Sequence, residues 1–252
     1  MGLVSVAVVY PHGLAMKTIA IIPAAGAGVR MGLETPKQFL ALEGVPIILH
    51  TVRKFAASEV VDGILLGLRP ADLERARQEL ERERLAKPVS LVPGGASRQE
   101  TVALALAQAP ATAEWVIVHD AVRPFVTLEQ IRQVLAAARE TGAAILGIPS
   151  VDTVKQVERQ IVVGTIPRER IVLAQTPQAF RYALLKEAVA RAAQDGFIAS
   201  DESSLVERLG HEVAVLMGSE RNIKITKPAD LPLARLYIAQ EREQGEHAVT
   251  PS

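Results

Sequence analysis

The chain has 252 residues, of which 49% are hydrophobic and 22% charged, so it can form a folded core and is not disordered throughout. Its 28 lysines and arginines balance 28 aspartates and glutamates, which predicts no general attraction to nucleic acid or to anionic membranes. The absence of cysteine excludes disulfides, iron–sulfur clusters, thiolate zinc sites and a cysteine nucleophile.

The first fifteen residues are apolar but lack the basic start of a signal peptide, and they contain Pro11 and Gly13. We interpret residues 1–15 as a disordered N-terminal extension, with a signal peptide as the alternative, and residues 16–243 as one domain. Residues 244–252 are polar and are expected to form a frayed tail. No apolar run approaches the ~20 residues of a transmembrane helix, so we expect a cytoplasmic protein without membrane contact.

Apolar strand-like runs alternate with helical patterns along the rest of the chain. The predicted strands are Thr18–Ile22, Gly63–Leu68, Trp115–Val118 and Ala143–Ile148. Capping boxes are predicted at two helix starts, from Ser97 with Glu100 and from Thr127 with Gln130. The charged stretch from Pro70 to Lys87 predicts a solvated helix. This alternation indicates an α/β fold, with a Rossmann-like, mostly parallel sheet and helices on both faces.

The segment from Val151 to Gln175 breaks this alternation. It contains two short β-prone pieces, TVKQV and IVV, separated by turn-forming residues. These features predict a hairpin that projects from the main body. Because an isolated hairpin has little core of its own, we expect this arm to pack against another surface.

The string PAAGAGVRMGLETPKQFL follows the first strand directly, from Pro23 to Leu40. Its small residues allow a ligand to approach the backbone closely, and successive amides can form an anion-binding concavity. Ligands of open α/β sheets bind beyond the carboxyl ends of the strands, where this loop lies. Two cations in the same loop, Arg30 and Lys37, suit a triphosphate.

Three other interpretations of this loop are weaker. A dinucleotide site, as in a nicotinamide-dependent reductase, would need G-x-G-x-x-G, but Met31 stands where the third glycine is required. A P-loop would need a Gly-Lys-Ser/Thr end, which the string lacks. The structural alternative is an ordinary glycine-rich turn, against which the two cations argue.

The string VHDAVRPF places Asp120 at the end of a predicted strand. A carboxylate there can bind Mg²⁺ or a substrate hydroxyl. Arg123 can hold a phosphate or order the loop, and the structural alternative is an ordinary Asp–Arg pair. We expect His119 to be structural, with its side chain pointing away from Asp120.

Two further strings carry weaker signals. In PGGASRQET, Gly94 and Gly95 permit close approach of a ligand, and the following helix start offers free amides; the alternative is a plain strand-to-helix turn. In RNIKITKPADL, Lys224 is predicted in the middle of a strand, and the alternative is a lysine that faces solvent.

Together these strings resemble the 2-C-methyl-D-erythritol 4-phosphate cytidylyltransferase family of the non-mevalonate isoprenoid pathway. The resemblance covers about Lys17 to Gln240, and its strings also include VDTVK, QTPQAF, SDESSLVE and NIKITKPADL in the family's order. It implies transfer of CMP from CTP to 2-C-methyl-D-erythritol 4-phosphate, with release of pyrophosphate. Related ribitol-5-phosphate cytidylyltransferases share most of the phosphate-binding strings and are the alternative. Ser200 replaces a common threonine, and Val122 a usual alanine.

The resemblance implies a role for each matching residue. The implied catalytic residues, of which the first two stabilise a pentacovalent transition state, are Arg30, Lys37, Arg168 and Lys224. The implied nucleotide-binding residues are Pro23, Ala24, Ala25, Gly26, Gly28, Gly94, Gly95, Ala96, Thr101, Asp120 and Ala121. The implied acceptor-binding residues are Asp120, Arg123, Thr153, Arg168, Thr176, Ser200 and Lys224.

The resemblance also implies Mg²⁺ carried by the CTP phosphates, with Asp120 as a candidate ligand, and a homodimer with shared active sites. The neighbouring subunit would supply Arg168 and Thr176 through an exchanged arm. The acceptor phosphate is already an anion, so the cations are expected to act by positioning and electrostatics instead of proton transfer. A non-catalytic nucleotide-binding module is the remaining alternative, since it would keep the glycine-rich loop but could lose Arg30, Lys37 and Lys224.

Overall fold

The computed structural model describes residues 16–26 and 35–247. In these ranges the chain forms a central sheet and two short hairpins. The strands are β1 (Thr18–Pro23), β2 (Ala41–Leu42), β3 (Val45–Pro46), β4 (Gly63–Leu68), β5 (Val89–Pro93), β6 (Trp115–Val118), β7 (Ala143–Pro149), β8 (Val154–Glu158), β9 (Ile161–Ile166), β10 (Val172–Arg181) and β11 (Ala214–Met217).

The central sheet has seven strands in the order β11-β7-β10-β6-β1-β4-β5. Its neighbours are parallel except for β10, which runs antiparallel to both β6 and β7. The four strands predicted from the sequence are all present in it. The predicted α/β fold with a mostly parallel sheet is therefore confirmed.

Helices cover both faces of this sheet because its strands are apolar on both sides. They are α1 (Ile47–Ala57), α2 (Leu73–Glu81), α3 (Arg98–Ala107), α4 (Leu128–Thr141), α5 (Tyr182–Gln194), α6 (Glu202–Arg208) and α7 (Leu231–His247). Ala20 and Ile22 of β1 pack in the core beneath α1, α2 and α4. Ile19 and Ile21 point to the opposite face and pack with α3, α5 and α6. This alternation follows the two-residue period of a strand.

The two predicted helix caps differ in the structure. Thr127 and Gln130 form a reciprocal capping box at the start of α4, as predicted. Ser97 Oγ accepts from the backbone N–H of Glu100, but the Glu100 carboxylate accepts from Ala96 N at 2.7 Å. The second capping box therefore has only one of its two hydrogen bonds, because the Glu100 side chain binds the backbone of the preceding loop instead of the N–H of Ser97.

A third apolar cluster joins α7 to the loops after the strands. Ile225, Ala234 and Ile238 are buried there with Val122 and Phe125. The predicted tail is wrong at its start, since α7 continues through residues 244–247. Residues 1–15 and 248–252 lie outside the described ranges. Within the described ranges, no helix has the length and apolar character needed to cross a membrane.

The predicted arm is observed as the separate antiparallel hairpin β8–β9. Its C-terminal boundary is wrong, because β10 starts at Val172 and pairs with β7 of the central sheet, so Gln175 belongs to the main body. Four apolar side chains on the hairpin are between 51% and 68% exposed, namely Val157, Ile161, Val162 and Val163.

Candidate active site

The loops that follow β1, β4, β5 and β6 meet at the carboxyl edge of the sheet and enclose a cleft of about 400 Å³. This is where open α/β sheets bind ligands. Most of the predicted nucleotide-binding and cationic residues line the cleft: Pro23, Ala24, Ala25, Gly26, Lys37, Gly95, Ala96, Thr101, Asp120, Ala121 and Lys224. Gly28 and Arg30, also predicted here, lie outside the described residues.

Hydrogen bonds from the neighbouring strand and turn fix the loop after β1. Ala24 N donates to Gly67 O at 2.6 Å, and Gln38 Nε2 donates to Ala24 O at 2.8 Å. Gln38 is buried, and its neighbour Lys37 lines the cleft. Anchoring one side of the loop to Gln38 therefore places the lysine on the wall of the cleft that Ala25 and Gly26 also line.

Thr101 and the two glycines after β5 shape the opposite wall. Thr101 Oγ1 donates to Ser97 O at 2.8 Å and accepts from Gly95 N at 3.2 Å. A Cβ added to Gly94 would lie 2.6 Å from the Cβ of Ala25, and one on Gly95 would overlap Glu100. Gly94 does not line the cleft itself, but its missing side chain lets the two walls approach this closely.

Asp120 lies at the centre of the charged part of the site, where three cations surround its carboxylate. Arg98 Nε is 3.0 Å from Oδ1, while Lys224 Nζ and Arg123 Nε lie 2.8 and 3.4 Å from Oδ2. Burial alone would raise the pKa of the Asp120 carboxyl, but Arg98 and Lys224 outweigh burial and hold the pKa well below its ordinary value. Asp120 is therefore ionised at neutral pH.

A second, smaller pocket of about 190 Å³ adjoins the cleft. The two share Arg98, Asp120 and Lys224. Three of the predicted acceptor-binding residues also line the smaller pocket, namely Arg123, Thr176 and Ser200. Two substrates bound in these pockets would therefore meet beside the same charged groups.

Thr176 belongs to its own chain's site, which corrects the expectation that a neighbouring subunit supplies it. Its hydroxyl accepts from Asp120 N at 3.0 Å and lies 3.0 Å from His119 Nδ1. The residue is 4% exposed and sits in β10 of the central sheet. A threonine buried in this way cannot reach into another chain's pocket.

Thr153 and Arg168 are not brought to the site within one chain. Both lie on the arm and are exposed. Arg168 Nη1 donates to Val151 O at 2.8 Å, at the base of the hairpin. Neither residue lines the cleft or the smaller pocket.

Lys224 reaches the site from an irregular segment, so the predicted strand around it is wrong. Ile225 N donates to Val122 O at 2.9 Å, and the Ile225 side chain is fully buried in the α7 cluster. This anchor turns the preceding lysine towards Asp120. The solvent-facing alternative for Lys224 is excluded by its 2.8 Å contact with that carboxylate.

His119 is a buried structural residue, as predicted. Nε2 lies 2.9 Å from Arg123 O, and the ring packs on Phe55 with centroids 4.9 Å apart. Burial lowers the pKa of the imidazole to about 4. The neutral ring can then donate from Nε2 to Arg123 O and accept the Thr176 proton at Nδ1.

Several polar residues that line the two pockets were not identified from the sequence, namely Gln38, Arg69, Arg98, Gln175, Gln178 and Asp201. Glu202, which pairs with Arg98 from outside the pockets, was also missed. Arg98 gives a usable signal, because a cation in the first turn of a helix is unfavourable unless carboxylates hold it. Glu202 gives none, since an acidic residue in a first turn is ordinary. Arg69 follows β4, pairs with Asp72 at 2.6 Å and lines the cleft.

The donor groups suit a metal ion that arrives with the nucleotide. Within residues 16–26 and 35–247, no group of three or more histidines or acidic residues could hold an ion by itself. Asp120 is the one described carboxylate that lines the cleft. A magnesium ion bound to triphosphate oxygens would need a single such protein ligand.

Comparisons with known proteins agree with this geometry. The family model of 2-C-methyl-D-erythritol 4-phosphate cytidylyltransferase (IspD) matches residues 18–240. The proteins of that name from Solibacter usitatus and Acidobacterium capsulatum are 52% and 48% identical; the alignments cover 90% and 89% of this chain, and 97% and 98% of theirs.

Solved structures show the same similarity. The 4-diphosphocytidyl-2C-methyl-D-erythritol synthase of Anaerococcus prevotii superposes with a TM-score of 0.79 at 28% identity, covering 89% of this chain and 99% of its own. The 2-C-methyl-D-erythritol 4-phosphate cytidylyltransferase of Thermus thermophilus gives 0.70 at 35% identity, covering 87% and 98%. This chain therefore belongs to the 2-C-methyl-D-erythritol 4-phosphate cytidylyltransferase family.

Proposed function

We propose that this chain transfers CMP from CTP to 2-C-methyl-D-erythritol 4-phosphate, giving 4-diphosphocytidyl-2-C-methyl-D-erythritol and pyrophosphate. The observation that carries the proposal is the pair of adjoining pockets that share Arg98, Asp120 and Lys224. The larger is walled by glycine-rich loops suited to a nucleotide, and the smaller is lined by hydroxyls and cations suited to a polyol phosphate. The names of the relatives favour methylerythritol phosphate over ribitol 5-phosphate as acceptor.

In the proposed reaction, an oxygen of the acceptor phosphate attacks the α-phosphorus of CTP in line, and the bond to the pyrophosphate oxygen breaks. The attacking phosphate is already ionised, so no strong general base is needed. The barrier comes from repulsion between two anions and from charge that grows in the transition state. Lys37 and Lys224 oppose both effects from fixed positions around the cleft, which is the electrostatic route to rate enhancement.

We further propose that the site would hold a Mg²⁺ ion that arrives with CTP, which would supply positive charge for the pyrophosphate leaving group. Asp120 is the proposed protein ligand. Its carboxylate is ionised and already neutralised in part by Arg98, Arg123 and Lys224, so a metal ion would share this carboxylate with these cations. Whether or not Asp120 binds the metal ion, the chain's own residues position both substrates.

The proposed assembly is a homodimer whose arm completes the neighbouring site. Its support is the apolar exposure of the hairpin, where Ile161 and Val162 are 68% and 57% exposed. A twofold contact would cover these side chains on both copies. Arg168 lies near the base of this hairpin, so it is the arm residue proposed to hold the acceptor phosphate across the interface.

Since CTP is a cytoplasmic nucleotide, the proposed location is the cytoplasm.

A pyrophosphate-release assay tests the function. The purified protein is incubated with Mg²⁺, each of CTP, UTP, ATP and GTP, and either methylerythritol 4-phosphate or ribitol 5-phosphate. We expect the highest kcat/KM with CTP and methylerythritol 4-phosphate. Equal or better turnover with ribitol 5-phosphate would contradict the acceptor and leave the reaction class intact, whereas no pyrophosphate with any pair would contradict both.

A further inference from the structure

Glu202 is a buried acidic residue with no assigned role. It opens α6, and its side chain is 1% exposed. Both of its carboxylate oxygens accept from Arg98 Nη1, at 2.7 and 2.8 Å. A buried carboxylate is costly unless it is paired, so this arrangement requires an explanation in terms of what Arg98 does.

Glu202 lines neither pocket, whereas Arg98 lines both. Any effect of Glu202 on bound substrates must therefore pass through the guanidinium. Arg98 uses Nε for Asp120 Oδ1 and Nη1 for Glu202. Its orientation is fixed by two acids from different parts of the fold, the loop after β6 and the start of α6.

Because Arg98 pairs with two acids, it occupies only one carboxylate oxygen of Asp120. A guanidinium with a single carboxylate partner prefers a bidentate pair that occupies both oxygens. Without the charge of Glu202, Arg98 would turn fully onto Asp120 and compete with Lys224, which now lies 2.8 Å from Oδ2. Because Glu202 engages Nη1, Asp120 Oδ2 stays available to the lysine.

We propose that Glu202 is a positioning residue for nucleotidyl transfer: it holds Arg98 at the boundary of the two pockets and so keeps Lys224 paired with Asp120. This inference builds on the proposed function, in which the phosphates of the two substrates would meet at this boundary. It also links the segment that carries Ser200 to the nucleotide side of the site. The competing explanation is that Glu202 only ties α6 to α3.

The two explanations differ in kinetics. We expect Glu202→Gln, which keeps the size of the side chain and removes its charge, to lower kcat by about 10- to 100-fold. The CTP dissociation constant, measured by calorimetry without acceptor, should stay within about threefold, because Glu202 does not touch the nucleotide loops. A purely structural tie would lower the melting temperature and leave kcat of the folded protein unchanged.

A double-mutant cycle tests whether Glu202 acts through Arg98. In an Arg98→Met background the Glu202→Gln change should alter kcat by less than about twofold, since the group it orients is gone. The matched control is Glu83→Gln, which removes the acid of another two-bond arginine pair, with Arg53, and neither residue of that pair lines a pocket. This control should leave kcat unchanged.

Glu202→Asp keeps the charge and covers the case in which Glu202→Gln does not fold. We expect it to lower kcat only severalfold, with CTP affinity preserved. The proposal is overturned if Glu202→Gln or Glu202→Asp retains the wild-type kcat. It is also overturned if adding Glu202→Gln to Arg98→Met causes a large further loss of kcat. If the wild-type protein released no pyrophosphate, that result would instead contradict the proposed function.

Discussion

Nζ of Lys224 lies 2.8 Å from Oδ2 of Asp120, although one residue follows a central strand and the other precedes the last helix. The pair sits on the border of both pockets. Ile225, fully buried beside the lysine, holds the later segment against Val122. The lysine is thus a fixed charge at the point where two phosphates would meet.

Replacement of Lys224 by methionine should lower kcat by about 10²- to 10³-fold, because the variant lacks a charge preorganised for the transition state. The pKa of the Asp120 carboxyl should rise, since one of its cations is gone. Steady-state assays and a thermal melt separate catalysis from folding. Lys186→Ala, an exposed lysine on α5, is the control and should behave as wild type. Turnover within threefold of wild type for Lys224→Met would refute the role.

Lys37→Ala and Arg30→Ala should each lower kcat strongly and leave the protein folded. Lys37 lines the cleft beside the glycine-rich backbone, and Arg30 belongs to the same string of sequence. The expected loss is about 10²–10³ in kcat for each, as for other single donors to a transition state. The assay uses saturating CTP, and near wild-type turnover in either variant would remove that residue from the mechanism.

Acid should destabilise the protein through His119. The unfolded imidazole has a pKa of about 6.5, whereas burial lowers the folded pKa to about 4. Between these values the unfolded state binds more protons, so the free energy of unfolding falls as the pH falls. Titration of His119 over this whole range should lower the free energy of unfolding by about 3 kcal/mol.

His119→Gln tests this linkage, because the glutamine amide can still donate to Arg123 O. Urea unfolding at pH 7.5 and pH 5 should show a smaller loss on acidification than in wild type. The variant itself is expected to be less stable at pH 7.5, since glutamine does not fill the space against Phe55. If wild type and His119→Gln lose the same unfolding free energy between pH 7.5 and pH 5, His119 does not titrate in this way.

Mixed subunits test the shared site. Lys37→Ala and Arg168→Ala should each be inactive alone, yet a mixed dimer can place both defects in one site and leave the other intact. Random pairing should restore about a quarter of wild-type activity. Mass spectrometry first confirms that subunits have exchanged. Exchange without recovery would mean that each chain builds its own site.

The sequence by itself determined the layers of the fold and the position of the cleft. Apolar periodicity located the strands, and the glycine-rich strings marked where two loops approach closely, as the contact between Gly94 and Ala25 confirms. Asp120 could be predicted because it closely follows an apolar strand, β6. These features depend on residues near one another in the chain, where local propensity is decisive.

Only the tertiary structure decided how the charges are paired. The sequence pattern predicted a strand at Lys224 and missed the contact between Arg98 and Glu202, and the family resemblance assigned Thr176 to a neighbouring chain. Each depends on segments that meet only after the sheet and helices have packed. Burial gives a charged group its unusual environment, and burial is a property of the assembled layers that no short stretch of sequence specifies.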